Sequence, residues 1–187
     1  MTAAAWQDDW ASLIALVGQD VSAGVDLVGP DVVEAGAIRR FLEPLEFDCP
    51  LHRDAGAARA CGYDDIVAPV SSLTSWTIPP VWRPGPPVFT EAGADAQPRS
   101  DASVGLRLPF IPDDAQFFAT DYEADYLAPV VVGDRLSRVG RRVLSCEPKE
   151  TKVGRGVFMV LESDIRNQRS EIVATFRITM FVYRPHV

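Results

Sequence analysis

The sequence predicts an α+β domain in which a long antiparallel sheet wraps around one central helix. Three observations carry this expectation. From Gly105 onward the apolar residues recur with period two, and Ile172, Ala174, Phe176, Ile178, Met180 and Val182 share one strand face while Thr175, Arg177 and Thr179 share the other. The run from Pro69 to Trp76 suits a helix start, with Pro69 near the first turn where its missing N–H removes no hydrogen bond. Its small hydroxyl residues let the helix lie close against a sheet. No internal repeat is visible, so residues 1–187 read as one domain.

Taken in order, Trp6, Trp10, Leu13, Ile14 and Val17 recur at intervals near three and four, which predicts an amphipathic helix ended by Gly18 within an N-terminal extension, 1–27. Asp31 is the expected cap of a second helix, in which Ile38, Phe41, Leu42 and Leu45 follow the i, i+3, i+4, i+7 pattern. Pro44 takes the chain out of regular helix, because an interior proline loses a hydrogen bond and clashes with the preceding turn. Asp54 opens a short Ala-rich helix that Gly62 closes. Pro79 stops the central helix. From there to Pro112 the chain holds eight of its fifteen prolines and no hydrophobic period, so 79–112 reads as a long loop insertion. Within it Trp82 and Phe89 are candidates to cover a tunnel or to pin the loop to the surface. Strands are expected over Phe117–Tyr126, Arg135–Cys146, Val157–Asp164 and the segment from Ile172, arranged as an antiparallel meander, with Asn167–Ser170 as a hairpin connection.

Composition excludes several classes. Hydrophobic residues make up 47% and charged residues 24% of the chain, an ordinary globular balance. A net charge of −8 argues against a nucleic-acid surface, which needs clustered Lys and Arg. The start of the chain lacks the basic and apolar pattern of a secretion signal, and no span approaches the roughly 18 apolar residues of a membrane helix, so a cytoplasmic protein is expected. Cys49, Cys61 and Cys146 have no metal-ligand or Cys-x-x-Cys spacing; neither a disulfide scaffold nor a metal is expected, and no cofactor is implied.

The chemistry concentrates at Phe47-Asp48-Cys49-Pro50-Leu51-His52-Arg53-Asp54, which contains the one internal histidine. This stretch resembles the fingerprint Gly-Asp-x-Asn-Pro-Leu-His-x-Asp of the MaoC-like hydratases and dehydratases. Aligned on Pro50 and His52, the chain carries Glu46 for Gly, Phe47 for the catalytic Asp and Cys49 for Asn. A second block, Pro129-Val130-Val131-Val132-Gly133-Asp134-Arg135-Leu136, is similar to the family's Pro-x-x-x-Gly-Asp-x-Leu lead into a long strand. The resemblance runs from about Val28 to Val182. It implies a single hotdog fold, of the N-terminal-half subgroup found in two-part dehydratases, and association with a second hotdog as homodimer or heterodimer.

What the resemblance implies for mechanism is an (R)-specific enoyl-CoA hydratase or 3-hydroxyacyl-thioester dehydratase, or a subunit of one, acting on an acyl-CoA or other acyl thioester. Hydration needs a base for water, an acid for the alpha carbon and stabilisation of charge on the thioester oxygen. His52 is the catalytic candidate, with Asp48 as the displaced carboxylate. The backbone N–H of Val70 or Ser71, at the start of the central helix, is the implied oxyanion donor. Asp54 reads as a helix cap and Cys49 as a loop residue, not a nucleophile. Two other readings compete: a non-catalytic hotdog that binds acyl-CoA and completes a heteromeric dehydratase, and a thioesterase. The thioesterase is least supported, since Ser71–Trp76 offers no carboxylate.

Overall fold

The computed structural model describes residues 6–80, 82, 84, 85, 87, 89 and 108–186. Among the described residues five antiparallel strands form one sheet, β1 (Leu27–Val32), β2 (Gln116–Tyr126), β3 (Arg135–Glu150), β4 (Gly154–Arg166) and β5 (Ile172–Pro185), in the order β1-β3-β4-β5-β2. Three short α-helices, α1 (Ala11–Ile14), α2 (Ala35–Leu42) and α3 (Ala55–Ala60), precede the central helix Val70–Thr77. This is a hotdog fold.

Period two becomes an inner and an outer sheet face because successive side chains point to opposite sides. Val157, Met159, Leu161 and Ile165 of β4 stand opposite Val182, Met180, Ile178 and Ala174 of β5. Against this inner face lie two core clusters. One joins Leu73 and Trp76 of the central helix to Ile38, Leu42, Val130, Leu136, Ile165 and Phe176. The other joins Trp10 and Leu13 to Val143, Met159, Met180 and Val182. Each such side chain taken out of water contributes about 1.5–3 kcal/mol. On the outer face a charged row crosses four strands: Glu162 accepts from Arg142 and Arg177, and Arg177 also donates to Asp125 at 2.8 Å.

Several local expectations are corrected. The central helix is 3₁₀ and eight residues long, ending at Thr77 ahead of Pro79. The N-terminal helix is a 3₁₀ turn, Asp8–Trp10, running into α1, and Val17 is exposed. Asp31 caps nothing: it lies in β1, a strand the periodicity did not show, and Glu34 precedes α2 without a side-chain cap. Leu45 is exposed, in the turn Glu43–Leu45 that Pro44 forces. The strands are not a simple meander, because β2 pairs with β5 and only β3, β4 and β5 follow one another. The hairpin at Asn167–Ser170 stands, closed by the Ser170 N–H donating to the Asn167 carbonyl at 3.0 Å. Most of the expected loop insertion, 79–112, lies outside the described residues; Trp82 and Phe89 are both exposed.

One close approach fixes the central helix. A Cβ at Gly29 of β1 would stand 1.7 Å from the carbonyl oxygen of Trp76, so only glycine lets that strand pass the end of the helix.

Candidate active site

The fingerprint folds as a sequence of turns. After the Pro44 turn, Glu46 takes a left-handed backbone (φ 50°), and Pro50–His52 forms a 3₁₀ turn. Asp54 then caps α3, its Oδ1 accepting from the N–H groups of Gly56 and Ala57, as expected of a residue that competes for backbone donors. Val67 ties the loop down from both sides. Its N–H donates to the Leu51 carbonyl at 2.9 Å, and its own carbonyl receives His52 Nδ1 at 2.7 Å. A carbonyl only accepts, so Nδ1 carries a proton and Nε2 is the ring nitrogen left free of this contact.

The next residue extends this chain of contacts to the second sequence block. Ala68 N–H donates to the Val130 carbonyl at 2.7 Å, and Val132 N–H to Ile66 at 2.9 Å. That block is held by Asp134, only 3% exposed, whose carboxylate accepts from Val131 N–H at 2.9 Å and from Gln168 Nε2 at 2.8 Å. Gly133 turns with φ 94°, a backbone that side chains disfavour. Sequence reasoning read Gly133-Asp134 as a lead into a strand and missed this positioning role. The signal was present, since a carboxylate after a turn glycine is a ready acceptor for backbone N–H groups.

Beside these segments opens a cleft of about 310 Å³, lined by Tyr63, Val67, Val70, Leu73, Tyr126 and Leu127 among others. Val70, 49% exposed, and Ser71 begin the central helix. Ser72 is the first residue to donate back into the helix, to Pro69, so the Val70 and Ser71 amides precede the intrahelical ladder. Such amides favour an anionic oxygen. His52 meets the cleft wall through Val67.

The dyad positions are not brought together. Asp48 is turned outward, its side chain 87% exposed and 3.8 Å from Arg53 Nε. No hydrogen bond joins Asp48 to His52 among the described residues. The ring of Phe47, half exposed, lies 5.8 Å from the imidazole, and Arg53 Nη2 holds the Phe47 carbonyl at 3.0 Å. Among the described residues no group of three or more His, Cys, Asp and Glu is placed to hold a metal.

The family of FAS1-like, dehydratase domain region proteins matches residues 15–176. The chain belongs to the MaoC-like hotdog dehydratases. It is 31% identical over 161 residues to a probable enoyl-CoA hydratase alpha subunit of Thermomonospora curvata, covering 84% of this chain and 47% of that protein. The chain thus spans about half the length of that relative. A UPF0336 protein of Saccharopolyspora erythraea is 28% identical over 143 residues, 76% of each chain. Among solved structures, a chain of the ChsH1–ChsH2 complex of Mycobacterium tuberculosis superposes with TM-score 0.65 at 21% identity, covering all of this chain and 95% of that one. An (R)-hydratase of A. caviae superposes at 0.54 with 18% identity, over 90% and 96%. These structures share the hotdog fold of this MaoC-like chain.

Proposed function

We propose that this chain is the supporting hotdog of a two-subunit (R)-specific enoyl-CoA hydratase or 3-hydroxyacyl-thioester dehydratase. The observation that carries the reading is Phe47 standing in the place of the catalytic Asp, with Asp48 turned to solvent instead of replacing it. In this reading the chain contributes the acyl cleft and the amides of Val70 and Ser71, which receive charge developing on the thioester oxygen. The partner hotdog contributes the acid and base: water adds its hydroxyl to the beta carbon while the alpha carbon gains a proton. The edge strand β2 supports association, since nearly all of it is exposed, including Phe117, Phe118, Tyr122 and Tyr126. An exposed apolar edge strand is a template for another chain. The relatives' names point the same way, one an alpha subunit and one a two-protein complex.

His52 supports a second reading, in which this chain is itself catalytic. In it Nδ1 keeps its proton and Nε2 acts as the base, with Asp48 recruited by a movement of the loop.

The deciding experiment assays hydration of crotonyl-CoA and longer enoyl-CoAs by the chain alone and with a hotdog carrying an intact Asp-x-Asn-Pro-Leu-His. The expected result is acyl-CoA binding by the chain and turnover only with the partner. Turnover by the chain alone selects the second reading. Neither turnover nor acyl-CoA binding in either preparation overturns both, and a monomer at micromolar concentration that ignores the partner in light scattering overturns the subunit role.

A further inference from the structure

The inner sheet face holds a second cavity, about 220 Å³, walled by Phe117, Leu161, Ile178 and Met180 together with Arg138, Arg141 and Ser163. Its chemistry does not close on itself. Arg138 Nε is buried with no hydrogen-bond partner among the described residues. A guanidinium keeps its charge, and a buried donor of a half-buried guanidinium that lacks an acceptor is unfavourable. Burial lowers the pKa of Arg138 and, as the largest cause, that of Arg141, which the neighbouring Arg138 charge lowers further. Among the described residues that line the cavity there is no carboxylate. Asp20, the acid that acts on Arg141, accepts from the backbone N–H of Arg141 and of Ser22. The group that acts on Arg138 is the phenol of Tyr122, which is close to Thr74 of the central helix.

We propose that this cavity is a binding site for the carboxylate end of an aliphatic chain, with Arg138 as its ion partner. The aliphatic part packs on Phe117, Leu161, Ile178 and Met180, and the carboxylate meets Arg138 Nε, which has no acceptor among the described residues, with the Ser163 hydroxyl as a further donor in reach of the same space. At about 30 Å³ per water in the liquid, the cavity has the room of about seven waters, which suits a short alkyl carboxylate. Two sources carry this chemistry: a free fatty acid, or the far carboxyl of an acyl chain bound as a thioester. Assignment to an acyl thioester rests on the hydratase reading; carboxylate binding at Arg138 does not, so the hydration assay and the titrations below fail separately.

The test is calorimetric titration of the intact chain with octanoate, octanol and octylammonium, three ligands with one tail and different heads. Octanoate should bind at least about tenfold more tightly than octanol, and octylammonium should not bind. Equal binding of the three, or no octanoate binding, overturns the site. Arg138→Met, which keeps an apolar stem, should weaken octanoate at least about tenfold while leaving octanol unchanged; an unaltered octanoate affinity overturns the role of Arg138. Should that variant not fold, the comparison of the three heads on the unaltered chain decides. Competition with saturating suberyl-CoA, an eight-carbon acyl thioester that ends in a carboxyl, then separates the sources. Octanoate that still binds supports a free carboxylate as ligand, and octanoate that is displaced supports the far end of an acyl chain.

Discussion

His52 donates through Nδ1 to the carbonyl of Val67 at 2.7 Å, so the fingerprint histidine is fastened to the segment that leads into the central helix. In the supporting role this bond orders the loop. His52→Ala and Asp48→Asn should then leave the rate of the assembled complex within a few-fold, whereas loss of a true general acid or base lowers it by about a hundredfold or more. His52→Ala should still destabilise the chain by about 1 kcal/mol, the net worth of the lost hydrogen bond, readable by urea denaturation.

Phe47→Asp restores the family's carboxylate five residues before an imidazole whose Nδ1 is held by the Val67 carbonyl. The exposed ring makes few contacts to lose, so folding should survive. The expected outcome is hydration of crotonyl-CoA by the chain without partner, at least about tenfold above the unaltered chain. No gain would mean that the loop, and not the side chain alone, excludes chemistry here.

Gly29→Ala tests the placement of the helix that carries Val70 and Ser71. The new Cβ would fall 1.7 Å from the Trp76 carbonyl oxygen, which is backbone and has nowhere to go. A loss of more than about 3 kcal/mol is expected, beyond the usual range for an inserted methyl, together with lost acyl-CoA binding.

Acid should loosen the outer face of the sheet. Hydrogen bonding to Arg142, followed by the bond to Arg177, holds the Glu162 carboxyl below its ordinary value of 4.5. A group whose folded pKa is depressed adds stability above its unfolded pKa, and that contribution is lost as pH falls through the folded value. Stability should therefore drop as pH is lowered below about 4.5, and Glu162→Gln should shallow that drop. The alkaline side carries the opposite sign. Burial raises the Cys146 thiol to about 11 from 9.0, so the unfolded chain releases this proton first and stability declines between those values. Thermal melts across both limbs, with Cys146→Ala as the alkaline control, check the two together.

Local signals were enough for the sheet and the position of the helix, because period two from Ile172 onward and prolines flanking Val70–Thr77 are signals that packing did not override. The cap at Asp54 was legible for the same reason, as its acceptor needs only its own next three residues. β1 was not legible: a strand holding Gly29 and Pro30 lacks alternation, and its place comes from pairing with β3 and from the passage beside Trp76. Nor was the exchange of β2 to the β5 edge, since register and neighbours depend on contacts far apart in sequence. The outward turn of Asp48 and the anchoring of His52 and Asp134 likewise came only with the tertiary structure. A motif states which groups are present, but the direction of a side chain on a loop follows from the backbone partners that the folded chain brings to it.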